Sequence, residues 1–266
     1  MAEVIGFTAA VLIGITLGLI GAGGSILTVP VLVYLFGVAP SIATAYSLFV
    51  VGLTALVGST TYMRQQLVSY KTAVIFSIPS FAGVFLARKL IMPAIPPEVV
   101  AIGSFVVTKD LGIMLLFSAL MLMASVSMIR KGEPHKEGQV RNFNTALILI
   151  EGFAVGLLTG LVGAGGGFLI IPALVILARV PMKMAVGTSL LIIAAKSLFG
   201  FTGDIGTTPI DWLFLFKFSA FTISGIVIGS YAGRRISGSK LKPAFGWFVL
   251  AMGVYVFLKE VLGGRV

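Results

Sequence analysis

The sequence contains no cysteine and one histidine, His135. Without cysteine there are no disulfides, no thiolate metal sites and no cysteine nucleophile. A lone histidine in the polar stretch "RKGEPHKEGQVRN" leaves metal-dependent hydrolysis without a ligand set, so no metal or other cofactor is expected. Charge is sparse as well, at 11% of residues, with 9 acidic groups against 19 basic ones. No paired-carboxylate constellation falls within the apolar segments, which argues against an enzyme.

What is present is overwhelmingly apolar. Hydrophobic residues occupy 58% of the 266 positions and mean hydropathy is +1.11, values foreign to a soluble globular domain. Apolar runs recur along nearly the whole chain at the length of about 20 residues that one bilayer-crossing helix needs. Transmembrane β-strands would alternate apolar and polar residues in segments of about ten, and these do not. The fold class is therefore an all-α polytopic integral membrane protein whose first partner is the lipid bilayer. The net charge of +10 does not point to nucleic acid, because Lys and Arg sit in short linkers between apolar segments, the pattern that reports topology. Glu3 stands where a signal peptide would carry basic residues, so the N-terminal segment is read as part of the mature fold.

One stretch occurs twice. "GLIGAGGSILTVP" (18–30) returns 142 positions later as "GLVGAGGGFLIIP" (160–172). The offset also pairs "APSIATAYS" (39–47) with "PMKMAVGTS" (181–189), Gly58 with Gly200, and Gly83 with Gly225. Residues 1–130 and 143–266 thus read as two repeats joined by a polar linker, 131–142, expected in the cytoplasm. Each repeat holds four apolar units: roughly 4–36, 42–62, 70–92 and 109–129, then 144–178, 184–203, 210–233 and 243–260. The first unit of each repeat is too long for one ordinary crossing and is broken by its glycines, at 21–25 and 163–167. Two short half-helices meeting at a break within the membrane are expected in each.

Linker charges indicate how the repeats are oriented. Arg64 and Lys71 between the second and third units of repeat one become Asp204 and Asp211 in repeat two, while Arg179 and Lys183 face an uncharged equivalent. Equivalent linkers then lie on opposite sides of the membrane, and the repeats are inverted. This holds if each broken unit passes in and out or forms a re-entrant hairpin, which leaves Arg88 and Lys89 outside. If each is a single tilted crossing, the repeats are parallel.

Glycines in membrane helices commonly serve close packing, and the ladder Gly225, Gly229, Gly233 is read that way. Three glycines in four residues give up about 1 kcal/mol of helix propensity each, more than packing requires. The motif lacks a nucleotide-binding lysine and follows an apolar helix rather than a strand. A broken helix exposes N–H groups and a positive dipole end, both of which attract anions. Breaks at equivalent positions of an inverted repeat point to a transporter's substrate site. Ser47, Thr54, Gly58 and Thr61 form a polar or small stripe whose equivalents are Ser189, Lys196, Gly200 and Gly203. Lys196 lies inside "SLLIIAAKSLFGF", where a lysine costs about 2.5–3.5 kcal/mol to insert. It is read as the cation of a shared anion cavity; snorkelling, or pairing with Glu151 or Asp204, is the alternative.

The duplicated motif, with "AVGTS" (185–189) and "DIGTTPIDW" (204–212), resembles the sulfite exporter TauE/SafE family over essentially the whole chain. The resemblance implies export of sulfite or a small organosulfur or organic anion across a bacterial inner membrane. It places Gly21, Gly23, Gly24 and Ser25, and Gly163, Gly165, Gly166 and Gly167, on the substrate path. Thr188 and Ser189 join them, and Ala45 and Tyr46 replace Gly187 and Thr188 in the first repeat, which favours the second for substrate contact. The expected mechanism is alternating access about a midplane site. An anion channel, or a proton-coupled importer using Glu151 or Asp204, is the competing reading, and a homodimer is left open.

Overall fold

The computed structural model describes residues 2–102, 105–129, 145–163, 165–176, 180–233 and 238–263. The 131–142 linker with His135, and Arg179, lie outside the described residues. The chain is helical along most of its described length. Helix α1 (Ala2–Ile20) leads through a tight 3-10 turn (Ala22–Leu27) into α2 (Thr28–Phe36), followed by α3 (Pro40–Arg64) and α4 (Tyr70–Leu86). A wide π turn (Ala87–Ile91) joins α4 to the short α5 (Met92–Ala94). After a small hairpin come α6 (Lys109–Ile129), α7 (Thr145–Val162), α8 (Gly167–Ile176), α9 (Met182–Thr202), α10 (Trp212–Gly233) and α11 (Gly238–Gly263). Among the described residues, 6 helical segments are long and apolar enough to cross a membrane, and Gly24–Phe36 and Ile148–Val162 are shorter apolar helices. Pro40 in the first turn of α3 and Pro181 just before α9 start these two helices where a missing N–H costs least.

The helices pair by a simple rule. α1 packs on α10 and α7 on α4; α3 packs on α9 and α6 on α11; α3 also meets α10, and α4 meets α9. Shifting each helix by 142 positions turns every one of these pairs into another, or into itself. The pairs α1–α10 and α4–α7 have backbone-close seams: a Cβ on Gly225 would fall 2.1 Å from the Val11 carbonyl, and one on Gly156 would fall 2.4 Å from that of Ser80. The two stretches of sequence are thus interlocked, each lending its first helix to the other. α3 and α9 run antiparallel, since Leu48 faces Gly200, Leu198 faces Gly52, and Leu190 faces Gly58.

The first broken unit reverses direction rather than continuing. Gly24 folds back on Thr16 and Leu17, and Phe36 at the end of α2 lies over Gly6 near the start of α1. The unit is a hairpin with one limb, α1, of nearly full crossing length. One element was absent from the sequence reading. Glu98–Ile102 pairs antiparallel with Phe105–Thr108, with Ile102 opposite Phe105 and Ala101 opposite Val106.

The Tyr46 hydroxyl accepts a bond from the Asp211 N–H (2.7 Å), near the start of α10. Its equivalent, the Thr188 hydroxyl, accepts one from the Ser69 N–H (2.9 Å), at the start of α4. Each central helix therefore anchors the linker that leaves the other. Arg64, Lys71 and Lys183 gather at the Thr188 end, and Asp204 and Asp211 gather at the Tyr46 end.

Candidate functional site

At the first break, Gly21 takes a left-handed φ of 76° and its carbonyl accepts from the Gly24 N–H at 3.4 Å. A Cβ there would strike the Val186 side chain at 2.7 Å. Gly23 lies within the 3-10 turn that follows, and Ser25 and Thr28 are fully buried beyond it. The second break is more open in backbone terms. Gly163, Gly165 and Gly166 all have left-handed φ, at 71°, 64° and 74°, a run that L side chains resist. Gly167 then opens α8.

The breaks meet at Gly165. A Cβ on it would lie 3.3 Å from Ser25 Cβ, 2.7 Å from Val51 Cγ1 and 3.4 Å from Ile193 Cγ2. Ser25 comes from the first break, Val51 from α3 and Ile193 from α9, so four elements converge on one backbone position. Beside it stands Lys196. Its Nζ donates to Thr159 Oγ1 at 2.7 Å and lies 2.7 Å from where a Gly166 Cβ would be. The residue is 1% exposed, which removes the snorkelling alternative. Neither carboxylate partner considered from sequence is engaged: Glu151 is half-buried on α7, and Asp204 pairs with Arg88. A buried ammonium with one hydroxyl partner among the described residues retains donors for an anion.

The other stripe residues divide by what holds them. The Thr54 hydroxyl bonds that of Thr222 at 2.6 Å, and the Ser189 hydroxyl donates to the Val186 carbonyl of its own helix at 2.8 Å. Thr188 anchors the Ser69 N–H, as described above. Ser47 Oγ is buried and, among the described residues, has no hydrogen-bond partner.

Three neighbours of the second break escaped the sequence reading. Thr159 sits one helical turn before Gly163, in "GLLTGLVGAGG", where the first repeat has Leu17. Thr44 lies against Gly163, whose Cβ would fall 2.3 Å from the Thr44 carbonyl; the equivalent of Thr44 is Val186. Arg88, assigned with Lys89 to the outer side, is buried within the apolar segment Tyr70–Ala94. Its Nη1 donates to Thr44 Oγ1 at 3.1 Å and meets Asp204 Oδ1 at 3.5 Å. Burial raises the Asp204 carboxyl above the ordinary carboxylate range, and Arg88 offsets only part of that rise. The signal available was the unequal alignment: Lys196, Thr159, Thr44 and Arg88 face Thr54, Leu17, Val186 and Ser230 in the other repeat.

Comparison with known proteins places nearly the whole chain among membrane transporters. The family model described as "Sulfite exporter TauE/SafE" matches residues 6–256. A protein of Xylella fastidiosa (strain 9a5c) named "Probable membrane transporter protein" is 33% identical over 94% of this chain and 92% of its own length. "Probable membrane transporter protein YunE" of Bacillus subtilis (strain 168) is 29% identical over 86% of this chain and 89% of its own. No solved structure gives a significant match.

Proposed function

Because the chain belongs to the sulfite exporter TauE/SafE family and is a multi-pass membrane transporter rather than an enzyme, we propose that it is a carrier exporting sulfite or a related small sulfur or organic anion across the inner membrane. The observation that carries this reading is Lys196. A fully buried ammonium lies against the bare backbone of Gly166, where the two breaks and the two central helices converge. Within the low-dielectric interior a cation beside a helix N-terminus favours an oxyanion strongly over neutral solutes. Half a charge or so from each break, added to Lys196, suits a mono- or divalent anion.

Alternating access fits better than a channel. Ser25, Gly163, Gly165, Gly166 and Lys196 are all buried, so the site is closed to both sides, the occluded state through which a carrier passes. Antiparallel α3 and α9, with equivalent linkers anchored at opposite ends, support inverted repeats as the frame. Because α1 packs on α10 and α7 on α4, the moving bodies are mixed. One comprises α1, α3 and α10; the other comprises α4, α7 and α9; they slide along the α3–α9 contact. A monovalent anion leaving a negative-inside cell gains about 2.3 kcal/mol per 100 mV, so export needs no coupling ion.

The test is sulfite flux in proteoliposomes under an imposed potential. Saturable flux, accelerated by sulfite on the opposite side, is expected. Unsaturable flux at single-channel rates would replace the carrier with a channel. Flux that requires a proton gradient would make it a coupled importer and return attention to Glu151.

A further inference from the structure

The pair Arg88–Asp204 is not built as a structural ion pair. Arg88 is 1% exposed and Asp204 4%, yet the two share one contact of 3.5 Å between Nη1 and Oδ1. Among the described residues, Arg88 Nε and Nη2 and Asp204 Oδ2 have no hydrogen-bond partner. A guanidinium and a carboxylate that exist to hold a fold together normally close to two parallel bonds of about 2.7–2.9 Å. Leaving three buried charged atoms unsatisfied is costly and calls for an explanation. Arg88 also falls in the π turn Ala87–Ile91, a local widening of helix that recurs at functional sites.

Place in the fold supplies the explanation. Thr44, which accepts from Arg88, touches Gly163, the first residue of the second break. Lys196 and Gly166 lie just beyond along the same break. Asp204 follows two residues after α9, the helix that carries Lys196, and begins the loop that Tyr46 anchors through Asp211.

We propose that Arg88 is a second anion-binding group at the mouth of the second break, with Asp204 as an internal stand-in that the transported oxyanion displaces. This rests on the carrier reading above. In the occluded protein, Asp204 holds one edge of the guanidinium while Nε and Nη2 stay available. A sulfite, sulfonate or carboxylate group arriving from Lys196 takes the fork through two of its oxygens and Asp204 is released. Lys109, which donates to the Met92 carbonyl and also acts on Asp204, is the cation left to receive it. Release frees the 203–211 loop from the π turn that follows α4, so arrival of substrate loosens that end of the protein only.

The experiment is calorimetric titration of the purified full-length protein in nanodiscs with sulfite, methanesulfonate and acetate, beside flux in liposomes. Asp204→Asn removes the competing charge and keeps the shape. It is expected to tighten sulfite binding about tenfold while slowing flux, because the bound anion then leaves Arg88 less readily. Arg88→Lys should weaken binding about tenfold or more, since an ammonium cannot present the planar fork. The double variant Arg88→Gln/Asp204→Asn leaves neither member of this pair as an unpaired buried charge, so it should fold and still bind at least about tenfold more weakly than wild type. Wild-type affinity in the double variant, or weaker binding in Asp204→Asn, would overturn the proposal and leave the carrier reading intact. A wild type that binds none of the three probes would overturn both.

Discussion

The two breaks share one backbone device and differ in everything that lines it. The first has Gly21 in the left-handed region against Val186, then a 3-10 turn folded onto Thr16 and Leu17. The second has three left-handed glycines among Thr159, Lys196 and Thr44, with Arg88 behind. The frame around them is equal: the pairings α1–α10 and α7–α4 match, and Tyr46 and Thr188 perform the same anchoring for opposite linkers. The difference teaches that equivalent frames can carry unequal linings: polar and charged side chains from both stretches of sequence gather at the second break. Two fully charged breaks would put four buried cations within a small volume, at a heavy desolvation cost. One charged and one neutral break can instead enclose an anion between a donor face and a packing face.

The largest expected effect comes from moving the charge across. In Lys196→Thr combined with Thr54→Lys, the ammonium would lie beside Leu17 rather than Thr159, so sulfite uptake should fall about hundredfold although total charge is unchanged. Restored uptake would make the breaks interchangeable. Next is backbone fit. Gly163→Ala meets the Thr44 carbonyl at 2.3 Å, a backbone atom, and should cost about 3 kcal/mol. Gly21→Ala meets the tip of Val186, which can rotate away, and should cost about 1–2 kcal/mol. Thermal unfolding in detergent would separate them, and equal shifts would mean that the second break is no more tightly held. Thr159→Val removes the one described partner of Lys196 and should weaken apparent sulfite affinity about tenfold, read as KM with kcat less affected. The smallest effect concerns the equal frame: Tyr46→Phe and Thr188→Val should each cost about 1 kcal/mol of stability, and similar amounts. A much larger loss from one would break the symmetry of the scaffold.

Much of the frame was legible in the sequence because long apolar runs and an exact repeat of glycines leave few alternatives to paired, broken membrane helices. Lys196 was legible for the same reason: a lysine among leucines and isoleucines is conspicuous. Other features were not. Arg88 adjoins Lys89 at the end of the third apolar unit, so it read as a charge at the outer side; it is buried in a π turn that no periodicity announces. Thr188 entered through the family resemblance, which gives no sign that its hydroxyl accepts from the Ser69 N–H. Thr159 was hidden by good alignment around it, where one polar residue opposite Leu17 carries the meaning. The hairpin Glu98–Thr108 did have a signal, two β-branched runs about Gly103 and Ser104 in "EVVAIGSFVVT", which the search for apolar spans passed over.

The most direct test of an anion site built on the second break is the current evoked by a sulfite concentration jump on supported membranes, with wild type, Lys196→Met and Thr54→Val recorded together. These are equivalent positions on equivalent helices. The asymmetric account predicts a saturable current in wild type, a loss of about hundredfold in Lys196→Met, and a loss of about fivefold in Thr54→Val, the worth of a charged contact against a neutral one. Equal losses in the two variants, or a Lys196→Met current indistinguishable from wild type, would contradict it.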